Sequence, residues 1–157
     1  RAAHVRPRHR NVRIEASGVL LALMEDVWRL LGEPYHLPDW WPGYRGVEPD
    51  RRGVAEGARW RIVRGGSTAG TAGLLRRPGG ESVIVIEQVV PGRLLAWRDL
   101  AQGVAARVTI EPAAQRRTQV TVAIEASWWR VSAEGLRGLP RQAVSRLHDL
   151  CQTAAEL

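Results

Sequence analysis

Between Tyr44 and Ser127 the chain is a succession of short extended segments broken by Gly and Pro, and the one long helical stretch, Pro140 to Leu157, comes after all of them. That order is the strongest constraint on the fold. Strands with one apolar face need a cover, and the closing helix is the only element long enough to supply it. From Ala58 to Arg64 the alternation is clean: Trp60 and Ile62 share one side, Arg59 and Arg61 the other. This is the pattern of a half-buried antiparallel strand. Val108 and Ile110 repeat it within Val104 to Pro112, and Val120, Val122 and Ile124 within Thr118 to Ser127. Gly65-Gly66, Pro78-Gly79-Gly80 and Pro91-Gly92 punctuate strands expected at Ser67 to Arg77, Ser82 to Val90 and Leu94 to Leu100, and Tyr44 to Pro49 is a short strand of its own.

Ahead of the sheet, Val12 to Leu21 reads as a strand, with Ser17 and Gly18 allowing a bend or bulge. Val27, Leu30 and Leu31 recur at helical spacing from Met24 to Leu31, with Glu25 and Asp26 in the first turn, where the helix dipole favours acids. Gly32 stops this helix and Pro34 opens a shorter one ending before Pro42. At the other end Ala143, Leu147, Leu150, Cys151 and Ala154 form one apolar stripe, and Ser132 to Gly138 allows an earlier turn or two. The expected fold is α+β: a curved antiparallel sheet of about seven strands wrapped around a long C-terminal helix, with two short helices after the first strand. At 157 residues this is one domain, 12–157, behind a basic leader, 1–11. A curved sheet touches a straight helix incompletely, so a pocket is expected between them.

Charge separates the leader from the body. Every basic residue counted as Lys or Arg is Arg; five of the 23, Arg1, Arg6, Arg8, Arg10 and Arg13, precede Ile14, and none of the 16 acidic residues does. The body is close to charge balance, so nucleic-acid binding is not expected of it and is conceivable only through the leader. Cys151 is the single cysteine, which excludes an intrachain disulfide and fits a cytoplasmic protein. No apolar run approaches the roughly 20 residues of a membrane span. The His residues, at 4, 9, 36 and 148, do not form a nucleophilic triad with a Ser or Cys. His148 and Cys151 lack a third ligand for a metal, and without Lys there is no phosphate loop. No cofactor or metal is expected.

The aromatic set is seven Trp, two Tyr and no Phe, so tryptophan supplies nearly all the large flat surface. Leu37-Pro38-Asp39-Trp40-Trp41-Pro42-Gly43, followed by Gly57-Ala58-Arg59-Trp60 and preceded by Val27-Trp28, resembles the opening of the START-like superfamily. That superfamily includes the polyketide cyclase/dehydrase group, and the Pro91 to Arg98 turn and strand and Thr118 to Val122 extend the likeness over nearly the whole body. The resemblance implies a helix-grip fold and a hydrophobic or amphipathic small molecule as partner, held in an interior cavity. In some members it implies catalysis by interior Arg and Tyr groups. The expected cavity residues are Trp41, Tyr44, Trp60, Ile62, Trp97, Val108, Ile110, Val122, Leu147 and Cys151, with Trp40, Trp128 and Trp129 at a portal. Trp128-Trp129 follows the last strand, and two adjacent indoles in an extended chain cannot both face inward, so at least one is expected at the surface, at the portal or in a homodimer contact. For catalysis the polar candidates are Arg59, Arg98, Arg107, Tyr44 and Asp99. Strand phase turns most of the arginines to solvent, and Trp97 rather than Arg98 is expected inward.

Overall fold

The alternation becomes one antiparallel sheet of seven strands among the described residues, which are 10–65 and 81–155 of a computed structural model. They are β1 (Asn11–Leu20), β2 (Tyr44–Glu48), β3 (Arg59–Arg64), β4 (Glu81–Val90), β5 (Leu94–Asp99), β6 (Val104–Ala113) and β7 (Arg117–Ser127). Their spatial order is β1-β7-β6-β5-β4-β3-β2. The first and last strands in sequence are therefore neighbours, and the strands between follow as a meander. The strand expected at Ser67 to Arg77 lies outside the described residues. Between β1 and β2 come α1 (Met24–Leu31), a 3₁₀ turn (Pro34–His36) and α2 (Leu37–Trp40). After β7 come α3 (Trp128–Ala133), a second 3₁₀ turn (Leu136–Gly138) and the closing helix α4 (Leu139–Ala155).

Local chemistry sets these boundaries. Glu33 accepts from the Tyr35 N–H at the head of the 3₁₀ turn, and the Gly32 N–H closes α1 on the Trp28 carbonyl at 2.7 Å. At the β4–β5 hairpin the Arg93 N–H reaches the Val90 carbonyl at 2.9 Å across Pro91-Gly92, and Gly92 takes the positive φ of 77° that such a turn requires. Register shifts mark bulges between Tyr44 and Gly46 in β2 and between Ile86 and Gln88 in β4. Bulges of this kind sharpen the local twist of a sheet. β7 ends at Ser127 as read, but Trp128 and Trp129, expected as extended chain, form the first turn of a helix.

Gly18 is a second departure. β1 pairs with β7 in unbroken register from Asn11–Ser127 to Leu20–Thr118, so there is no bulge at Ser17-Gly18. What Gly18 provides is proximity, because a Cβ there would stand 2.6 Å from Val144 Cγ1 of α4. The missing side chain lets the closing helix sit down on β1 and β7, the strands it packs against. Gly18→Ala is therefore expected to destabilise the protein by about 1–3 kcal/mol through overpacking. Adding Val144→Ala should recover most of the loss, and denaturant unfolding of the single and double variants measures that coupling.

Candidate functional site

α4 covers the β1–β7 half of the concave face. Tryptophan fills the space over the middle strands. Trp97 of β5 meets Trp41, at the end of α2, with ring centroids 4.8 Å apart and planes at 75°. Trp40 stands edge-on to both, 5.9 Å from each. Such edge-to-face pairs are each worth about 0.5–1.5 kcal/mol beyond their buried area. The β-strand phase that turns Trp60 and Ile62 inward also turns Trp97 inward, whereas Trp40 and Trp41 are delivered by the short Pro-started helix. All four indoles are buried.

Their N–H groups have unequal fates. Trp60 donates to the Gly53 carbonyl at 2.8 Å, which ties the loop before β3 to the core. The N–H groups of Trp40 and Trp41 are buried without an acceptor. That of Trp97 is likewise buried without an acceptor. A buried donor left without an acceptor costs about 1–3 kcal/mol.

At one end of this cluster a polar group is assembled from four neighbouring strands. Tyr44 of β2 donates its phenol proton to Asp99 Oδ2 of β5 at 2.6 Å. Arg64 of β3 forms a close ion pair with the same carboxylate and donates through Nε to Ser82 Oγ of β4 at 3.0 Å. The other carboxylate oxygen accepts the Gln102 N–H at 3.0 Å, so Asp99 also caps the turn into β6. The Asp99 side chain is 2 % exposed and that of Arg64 is 23 % exposed, so the carboxylate is the inner member of the pair. Burial first, then the charge of Asp99, holds the Tyr44 hydroxyl well above its ordinary value. Tyr44 is thus a protonated donor over the physiological range and is unsuited to act as a base.

Of the polar candidates read from the sequence, the structure brings together Tyr44 and Asp99. Arg59, Arg98 and Arg107 face solvent, Arg98 against Glu87 and Arg107 against Gln88. Arg64 and Ser82 were not anticipated, although the signal for Arg64 was available. Its parity is that of Trp60 and Ile62, not of Arg59 and Arg61, and Ser82 is the register partner of Ile62.

The expected cavity residues Trp41, Tyr44, Trp60, Ile62, Trp97, Val108, Ile110, Val122, Leu147 and Cys151 all belong to one buried cluster. Trp40, expected at the portal, is fully buried within it. Its burial follows from the α2 turn, which brings successive indoles into one three-ring group with Trp97. Trp128 and Trp129 are both at the surface.

A groove of about 610 Å³ runs outside the cluster, between α1, α2 and the end of α4. It is lined by Leu21, Leu30, Leu150 and Cys151, with His36 and Asp39 at its edge. His36 Nδ1 and Asp39 Oδ2 are 3.0 Å apart and exposed. Burial, then the charge of Asp26, raises the Cys151 thiol. That makes it a poor nucleophile and metal ligand. Among the described residues no group of three His, Cys, Asp or Glu is placed to hold a metal ion. No described helix is long and apolar enough to cross a membrane.

The Asp99 cluster sets two expected outcomes. Asp99→Ala leaves Arg64, Tyr44 and the Gln102 N–H without their shared acceptor, and should lower unfolding stability by about 3 kcal/mol. Tyr44→Phe removes one donor and should cost about 1 kcal/mol near neutral pH. Because the folded-state pKa of Tyr44 lies above its unfolded value of 10.0, its contribution is complete below that pH and is lost as pH rises toward the folded value. Wild type should therefore lose stability more steeply than Tyr44→Phe between about pH 9 and pH 11. Urea titrations across that range would show parallel curves if the phenol were not buried against a carboxylate.

Known proteins share this architecture. Protein NE0264 from Nitrosomonas europaea superposes with a TM-score of 0.68 at 15% identity, over 93% of this chain and 97% of that one. A point mutant of norcoclaurine synthase from Thalictrum flavum, solved with a transition-state analogue, gives 0.64 at 16% identity, over 92% and 96%. DynU16, from the dynemicin biosynthetic locus, gives 0.63 at 20% identity, over 90% of this chain and 48% of that one. At such identities the likeness is one of fold. No curated protein sequence matches significantly. The family model described as polyketide cyclase / dehydrase and lipid transport matches residues 11–152. With the helix-grip arrangement of sheet and closing helix, that match makes the chain a member of the polyketide cyclase / dehydrase and lipid transport family.

Proposed function

We propose that the protein binds a small amphipathic molecule between α2 and the middle strands, and that oxygen acceptors on this molecule engage the tryptophan cluster. The observation that carries the reading is the set of three indole N–H groups, on Trp40, Trp41 and Trp97, buried without acceptors. A core built only for stability is better served by apolar rings or by paired donors. A ligand carbonyl or hydroxyl would satisfy these donors while its apolar body replaced indole contacts. The residues facing inward are already in mutual contact, so the ligand enters by displacing indoles, and the α2 end is the movable side because Trp40 and Trp41 hang from a single four-residue helix. The family description, which includes lipid transport, is consistent with an amphipathic occupant.

A second reading is favoured by Tyr44, Asp99 and Arg64: catalysis of the cyclase or dehydrase kind on the bound molecule. Tyr44 touches Trp41, with ring centroids 6.2 Å apart, so a ligand among the indoles would reach the phenol. The single phenol proton is engaged by Asp99, so Tyr44 would donate to a developing oxyanion only by exchanging that hydrogen bond for one to the ligand, with the positive charge of Arg64 beside it.

Tryptophan fluorescence with thermal shift tests the first reading against fatty acids, sterols, isoprenoids, flavonoids and aromatic polyketides. Saturable quenching with a matching rise in melting temperature is expected for oxygenated ligands. Deoxygenated analogues should bind about tenfold more weakly, as expected from one lost hydrogen bond to a buried donor. Trp41→Phe should erase that discrimination, and Trp97→Leu should weaken all binding. A flat response across the panel would sink the reading. For the second, Asp99→Asn should abolish product formation while ligand still binds; turnover that survives the substitution would exclude the cluster from chemistry.

A further inference from the structure

The two edges of the sheet are unlike. β2, at one edge, has five residues and a bulge between Tyr44 and Gly46. Short and bulged edges resist pairing with other chains. β1, at the other edge, has ten residues in unbroken register with β7 and contains no proline. Among the described residues nothing pairs with its outer side. In an antiparallel pair every second residue turns both its N–H and its C=O away from its neighbour. β1 therefore presents a regular row of donors and acceptors to whatever lies beside it.

Beside it is a groove of about 590 Å³, with Ile14 to Val19 of β1 as one wall and residues between Arg137 and His148 as the other. The β1 wall spans about 17 Å and the helical wall, from Pro140, about 12 Å, which suits about five residues of extended chain. Ile14, Ala16 and Gly18 share the face that meets α4, so with Pro140 and Val144 they make an apolar floor. The rim is cationic. Arg137 and Arg141 are exposed on the α4 side, and among the described residues neither is paired with a carboxylate. Glu15, on the β1 wall, is bonded to Arg13 on the other face of the strand.

We propose that this groove takes an extended acidic segment of a partner protein, which adds to β1 as an eighth strand. The edge of β1 supplies main-chain hydrogen bonds, and the arginines select the side chains. Alternate residues of the added strand point toward α4 and repeat every 6–7 Å or so. Arg137 and Arg141, four residues apart, are separated by about the same rise, so carboxylates at alternate positions meet successive arginines. Other occupants fit less well. A nucleic acid would satisfy the arginines but has no row of amides to match the strand edge. A second copy paired edge to edge would set its own Arg137 and Arg141 against those of the first, like charge against like.

Fluorescence anisotropy of a labelled ten-residue peptide of alternating Glu and Val, titrated with the full chain, tests the proposal. Binding is expected, with weakening as salt rises and with slower amide hydrogen exchange in β1. A Lys-Val peptide should not bind. A Glu-Pro peptide, equal in charge but unable to pair as a strand, should bind about tenfold more weakly. Arg137→Ser with Arg141→Ser should also weaken binding about tenfold, from about threefold per exposed ion pair. Thermal melting of that variant should be unchanged, because both side chains are exposed. Absence of Glu-Val binding at low salt would overturn the proposal. So would equal binding of the Glu-Pro peptide, wild-type affinity in the double variant, or binding that leaves β1 exchange unaltered. A homodimer with β1 amides already protected would assign the groove to a second copy, and polyuridine that displaces the peptide at equal charge would assign it to nucleic acid; either overturns the proposal. The groove contains none of the four buried indoles, so ligand binding in the core stands or falls separately.

Discussion

The contact between Trp41 and Trp97 is the one on which the rest of the interior depends. A straight helix can follow a twisted sheet over only part of its width, and α4 is brought down on the β1–β7 half by the missing side chain at Gly18. The other half must be closed by something else. α2 closes it, and with only four residues it has almost no helical stability of its own. What fixes it is the insertion of two indoles against a third from β5. The cluster is both the lid of the core and the part of the core attached to the least stable element. Because folded domains are stable by only about 5–15 kcal/mol, that combination places structural change where a small molecule could drive it.

The polar cluster obeys a related economy. Asp99 is buried, and an isolated buried carboxylate would be costly. It is surrounded by a phenol, a guanidinium and a backbone N–H, each from a different segment, so its oxygens are satisfied without a water. These contacts also join β2, β3 and β5 at the end of the sheet where the edge strand β2 is short, a place at which a purely apolar arrangement would leave the register of β2 weakly specified. Tyr44 and Arg64 are direct register partners, which puts both side chains on the same face and makes one carboxylate sufficient for the two. The contacts that hold the strands also hold the Tyr44 phenol next to the indoles.

Much of this was legible in the chain because it is written in short-range pattern. Period-two alternation placed β3, β6 and β7 and turned Trp60, Ile62 and Trp97 inward, and the Pro91-Gly92 signal placed the β4–β5 hairpin. The misreadings share a cause, which is that local pattern does not report what packs against it. Gly18 looked like an irregularity because a glycine in a strand has several uses, and only the position of Val144 selects among them. The last strand ends at Ser127 as read, but Trp128-Trp129, expected as extended chain with at least one indole exposed, open a helix and are both exposed. Trp40 looked like a rim residue because it sits in a proline-bounded turn, and its burial is settled by Trp97, which lies far away in sequence. Arg64 was missed for a different reason: the charge at its tip outweighed the parity of its position.

Tryptophan is what links the two ends of the molecule. With no Phe in the chain, every broad ring that fills the interior brings an N–H with it, unless it is one of the two tyrosines. At Trp60 the fold supplies a carbonyl, and the ring becomes fixed structure. At Trp40 and Trp41 it supplies none, and the donors remain buried beside a polar cluster. Trp128 and Trp129 are left at the surface. The same side chain is thus stabilising, receptive or surface-seeking according to whether its N–H finds an acceptor within the fold. The position of the unsatisfied donors, more than the number of tryptophans, directs attention to α2 and its contact with β5.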